Sequence, residues 1–125
     1  MARILVIDDD PQVRDMLRQF LEWAGYEVRV APEGSAGLKL HRAQPVDLII
    51  TDIVMPGKEG LETILEFRGQ FPTVRIIAIS GGGKLGPHDY LNTARVIGAQ
   101  RTFAKPFDLR ELLAAVREIL PNGKA

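Results

Sequence analysis

Short apolar runs alternate with amphipathic stretches along the whole chain. The runs at 4–7, 48–50, 76–79 and 103–104 are brief and bounded by polar or turn-forming residues, which is how buried parallel strands read in sequence. A run at 26–31 alternates Val28 and Val30 with charged residues and predicts a shorter, edge-like strand. Val13, Met16, Leu17, Phe20, Leu21 and Ala24 recur at helical spacing after Pro11, which stands at a first helical position. Gly25 is placed to end that helix. A weaker helical pattern covers 35–43, closed by Pro45, and a further helix runs through Leu61, Ile64, Leu65 and Phe67 to close near Phe71-Pro72. A short helix is expected over 89–97, ending at Gly98. Asp108, with Glu111 three residues on, caps a last helix whose stripe includes Leu112, Leu113 and Val116. Five βα units follow one another with no linker or repeat. The fold class is therefore α/β, a doubly wound five-stranded parallel sheet with helices on both faces. At 125 residues the chain is expected to be one domain, residues 1–125.

The residues on which the strands end give this pattern chemical meaning. The first run leads into Asp8, Asp9 and Asp10, and the run at 48–50 passes through Thr51 to Asp52. The run at 76–79 ends at Ser80, and that at 103–104 ends at Lys105. Ligands of open α/β sheets bind beyond the carboxyl ends of the strands, so these groups can converge. Neighbouring carboxylates repel unless a cation sits among them, and a hard divalent ion with oxygen ligands, Mg²⁺ first, suits such a set. Asp52 follows the most hydrophobic strand and precedes a turn, which makes it the best candidate for a reacting carboxylate. A carboxylate can attack a phosphoryl group to give an acyl phosphate. Neutralisation of the phosphoryl oxygens would then come from Mg²⁺, Lys105 and the Ser80 hydroxyl. Each residue alone has a plainer reading: an N-capped turn at 8–10, a strand-end turn at Asp52, a turn hydroxyl, a solvated lysine. Their joint placement at four strand ends argues for a site.

Composition narrows the classes. Lys plus Arg equals Asp plus Glu at 16 each, so charge points neither to nucleic acid nor to a membrane surface. Cysteine is absent, which excludes a disulfide framework, a thiolate nucleophile and a zinc–thiolate site. No apolar run approaches the ~18–20 residues of a membrane span, and a cytoplasmic location is expected. His41 and His88 read as isolated surface residues, and Trp23 as a partly packed side chain beside the first helix's stripe. The stretch 81–86 literally matches G-x-G-x-x-G, but Pro87 follows and the opening βα unit lies elsewhere, so a nucleotide loop is not expected.

Residues 4–10, 47–56, Ser80-Gly81 and Lys105-Pro106-Phe107 together resemble the response-regulator receiver domain of two-component signalling, over essentially the whole chain. The resemblance implies a flavodoxin-like (βα)5 fold with strand order 2-1-3-4-5. It implies Asp52 as phosphoacceptor, with Asp8 and Asp9 as the acidic pair. Asp9, Asp52 and the backbone carbonyl of Val54 would ligate Mg²⁺ directly, and Asp8 would act largely through water. Ser80 becomes the switch hydroxyl, Lys105 the phosphoryl clamp, and the Lys105–Pro106 bond is expected to be cis. The implied function is a phosphorylation-activated switch, not an enzyme acting on an external substrate. It would take its phosphoryl group from a sensor histidine kinase, a phosphotransfer protein or a small phosphodonor. The surface of the fourth helix, fifth strand and last helix would carry the output, with a phosphorylation-linked homodimer as one form of it. No direct nucleic-acid or membrane contact is expected of this chain.

Three positions depart from the usual pattern. Thr102 stands where many relatives carry an aromatic switch residue, and strand alternation turns Phe103 to the opposite side. Val54 and Gly82, two residues beyond the phosphoacceptor and the switch hydroxyl, cannot orient a water, so a slowly lost acyl phosphate is expected. With the aromatic position changed, readout is expected through residues 81–87 and the helix at 89–97. Two rival functions remain: a haloacid-dehalogenase-like phosphatase, which also uses an Asp nucleophile, Mg²⁺, a hydroxyl and a Lys, and a pseudo-receiver interaction module. The first is disfavoured by Pro11 and by the lack of a second acidic pair after Lys105.

Overall fold

The computed structural model describes residues 2–53, 60–80, 94–95 and 98–120. Five strands, β1 (Arg3–Ile7), β2 (Glu27–Ala31), β3 (Leu48–Asp52), β4 (Arg75–Ser80) and β5 (Arg101–Ala104), pair in parallel in the order β2-β1-β3-β4-β5. The fold class and strand order expected from the sequence are those observed. The described helices are α1 (Pro11–Trp23), α2 (Gly34–Ala43), α3 (Gly60–Gln70) and α4 (Leu109–Ile119). The expected helix at 89–97 lies outside the described residues except for Ala94 and Arg95, which are helical. Val54, the loop at 81–87 and His88 also lie outside them.

Side chains alternate across the sheet and build two apolar layers. Ile4, Val6, Ile50, Ile77 and Ile79 pack with Leu17 and Leu21 of α1 and Leu112 and Val116 of α4. Leu5, Ile7, Ile49, Ile76 and Ala78 pack with Leu38 of α2 and Ile64 and Phe67 of α3. Helix ends follow the sequence signals. Asp10 N-caps α1 by accepting the Gln12 N–H at 2.9 Å, with Pro11 in the first turn, and Gly25 beyond its end has φ 103°. Asp108 caps α4 by accepting the Arg110 N–H at 2.8 Å.

Register places the site. Ile7 pairs with Thr51, Asp52 with Ile79, and Ser80 with Ala104. Asp8, Asp52, Ser80 and Lys105 therefore emerge at one end of four adjacent strands. Thr102 pairs with Ala78 of the α2/α3 layer, whereas Phe103 joins the α1/α4 layer and packs beside Phe107 at 6.1 Å. The opposed orientation expected for these two neighbours holds.

Candidate phosphoryl-transfer site

Asp8 is buried just beyond β1 and is held on all sides. Its N–H donates to the Ala31 carbonyl at 3.2 Å, and its Oδ1 accepts the Asp10 N–H at 2.9 Å. Its Oδ2 accepts from Lys105 Nζ at 3.2 Å. Asp52, also buried, accepts from the same ammonium at 2.8 Å. Lys105 thus bridges two carboxylates from different strands. One carboxylate oxygen from each of Asp8, Asp9 and Asp52 can be chosen so that all three lie within 4.8 Å of one another. Asp9 is the exposed member of that trio, and Asp10 faces away as a helix cap.

Charge at the site is only partly balanced. Burial pushes the Asp8 carboxyl above the usual carboxylate range, the Asp10 N–H pulls it back, and the nearby Asp52 charge raises it further. Burial also works against the Lys105 ammonium, but hydrogen bonds and attraction from Asp52 and Asp8 outweigh it and hold its pKa above the ordinary lysine value. One ammonium among three carboxylates leaves net negative charge, so the donor set fits a hard divalent cation. The Ser80 hydroxyl is fully buried at the end of β4 and has no hydrogen-bond partner among the described residues. A buried hydroxyl without a partner is costly, and a bound oxyanion would satisfy it.

Residues 4–117 match the family model of the response regulator receiver domain. The chain belongs to that family. It is 30% identical to sporulation initiation phosphotransferase F of Bacillus subtilis over 119 residues, 95% of this chain and 94% of that protein. It is 36% identical to the transcriptional regulatory protein CpxR of Klebsiella pneumoniae over 120 residues, 96% of this chain. The chain spans about half the length of that regulator, at 50%. Among solved structures, the response regulator TrrA of Thermotoga maritima in complex with Mg²⁺-BeF superposes with a TM-score of 0.85. The two are 34% identical, with 96% of this chain and 100% of that one covered. This receiver domain is a phosphorylation-dependent signalling switch, and receivers of response regulators work with histidine kinases or phosphotransfer proteins. Among the described residues, no helix is long and apolar enough to cross a membrane.

Asp8, Asp9, Asp52, Ser80 and Lys105 all reach the same end of the receiver sheet, and the Lys105–Pro106 bond is cis. The carbonyl of Val54 is outside the described residues. Two expectations are corrected. His41 is 3% exposed, not a surface residue: its Nδ1 accepts the Val46 N–H at 3.0 Å, and its ring meets the Phe71 ring edge-on at 4.4 Å. It shares the buried face of α2 with Gly34, Gly37 and Leu38, at helical spacing, and meets Phe67 of α3 there. Trp23 is 79% exposed with its ring stacked on Phe20, because it falls beside the Leu17, Leu21 and Ala24 stripe that α1 turns to the core. Two supports of the site were not singled out from the sequence. The Thr51 hydroxyl donates to the Asp52 carbonyl at 3.0 Å, and the Arg14 guanidinium donates to the Asp8 carbonyl at 2.8 Å. Both contacts end on backbone, and sequence spacing carries no signal for them.

Proposed function

We propose that Asp52 is the phosphoacceptor of this receiver and that Asp8, Asp9, Asp52 and the Val54 carbonyl hold Mg²⁺. The reading rests on the single ammonium of Lys105 shared between the buried carboxylates of Asp8 and Asp52. An oxygen of Asp52 forms the new bond to phosphorus while the donor's phosphorus–nitrogen bond breaks, its imidazole nitrogen keeping the electron pair. A sensor histidine kinase or phosphotransfer protein is the proposed donor, and acetyl phosphate can stand in for it. Bound among the carboxylates, Mg²⁺ would supply neutralisation of charge on the phosphoryl oxygens. Lys105 then moves its hydrogen bonds from the carboxylates to the phosphoryl group, and Ser80 gains the partner its buried hydroxyl needs. Contacts made only in the phosphorylated state favour one of two surface arrangements. We place the readout on the segment between β4 and β5, β5 and α4. The output reaches a partner or an adjoining domain, or a second copy of the chain. The protein acts on no substrate beyond its own phosphoryl group and works in the cytoplasm.

The test is intact mass after incubation with acetyl phosphate and Mg²⁺. Wild type should gain one phosphoryl group only with the metal, and Asp52→Asn should gain none. An adduct that persists in Asp52→Asn would place the acceptor elsewhere, and no adduct in wild type would favour the pseudo-receiver. Turnover of added phosphomonoesters would favour a phosphatase.

A further inference from the structure

We propose that Arg14 is a positioning residue that pre-forms the acidic turn for its cation; this rests on the metal-site reading above. The turn of Asp8, Asp9 and Asp10 carries three successive carboxylates, which repel one another and would splay without restraint. One residue in the first turns of α1 holds both of its ends. The Arg14 N–H donates to the Asp10 carbonyl at 3.0 Å, and its Nη1 donates to the Asp8 carbonyl at 2.8 Å. The turn is then closed internally by the Asp10 N–H on Asp8 Oδ1 at 2.9 Å. The guanidinium is half-buried and, among the described residues, binds backbone oxygen and not carboxylate. It therefore contributes positive charge behind the turn and leaves the carboxylate oxygens for the site. Lys105 does the opposite: its ammonium stands among the carboxylates and must give way when a phosphoryl group arrives. A planar, always charged fork that is already ordered suits the fixed task, and a single flexible ammonium suits the movable one.

Positioning and simple charge predict opposite signs for the same variant. Loss of a nearby positive charge alone would tighten Mg²⁺ binding. Loss of a group that orients ligands weakens it, by about tenfold or more where such supports have been removed elsewhere. The experiment is calorimetric titration of the unphosphorylated protein with Mg²⁺ for wild type, Arg14→Ala and Arg14→Lys. It is paired with hydrogen exchange of the Asp10 amide by NMR in metal-free buffer. We expect Arg14→Ala to bind Mg²⁺ about tenfold more weakly, with faster exchange at Asp10, and Arg14→Lys to recover part of both. Unchanged or tighter binding in Arg14→Ala overturns the proposal. If wild type binds no Mg²⁺, the metal-site reading fails and the Asp10 exchange decides alone: unchanged exchange in Arg14→Ala overturns the positioning role. If Arg14→Ala does not fold, the same two comparisons are made with Arg14→Lys, which must then show partial losses.

Discussion

Lys105 shares one ammonium between two buried carboxylates while remaining 25% exposed itself, so it has both strong partners and a path to move. Removing one member of such a set leaves buried charge without compensation, and that cost exceeds the net gain from the intact pair. In the absence of divalent metal, Lys105→Ala should lower the unfolding free energy by roughly 1–3 kcal/mol. Because Lys105 and the cation compete for the same negative charge, Mg²⁺ should raise the Tm of the variant more than that of wild type. Thermal melts with and without Mg²⁺ check this, and equal rises in the two proteins would show that ion and ammonium do not share the carboxylates.

Among the elements, α2 reaches β1 through a glycine. An ideal Cβ at Gly37 would stand 2.5 Å from Ile7 Cδ1 and 3.0 Å from its Cγ1, and Ile7 is fully buried. Gly37→Ala should therefore destabilise by roughly 1–3 kcal/mol despite the better helix propensity of alanine. At Gly69, near the end of α3, nothing lies within 4 Å of the same position. Gly69→Ala should stabilise by about 0.5–1 kcal/mol. Urea unfolding of the two variants should show these opposite signs. Strand and helix positions were legible because each buries a periodic apolar face, and the convergence of Asp8, Asp52 and Lys105 was legible because parallel topology fixes which strand ends meet. The close passage of α2 over β1 and the backbone contacts of Arg14 were not. Each depends on how near two packed elements come, a distance that no single segment encodes.

For the molecule as a whole, His41 makes stability depend on pH from the end of the sheet opposite the acidic cluster. Burial lowers its pKa below the ordinary 6.5. Between that lowered value and 6.5 the unfolded chain binds a proton that the folded chain does not, so stability falls as pH falls through this window. Protonation would also remove the Nδ1 acceptor from the Val46 N–H. His41→Phe should be less stable than wild type near neutral pH but lose less on going from about pH 7 to pH 5. Denaturant midpoints across that range test it; parallel slopes would show that His41 does not titrate on unfolding. Another consequence concerns time. Lys105 lies 53 residues from Asp52 and 97 from Asp8 along the chain. During synthesis Asp8 and the proposed nucleophile Asp52 emerge long before the ammonium that bridges them. A half-made chain carries the carboxylates without their Lys105 partner. With Lys105 in its proposed role, full competence to handle a phosphoryl group would also report that the last strand has docked.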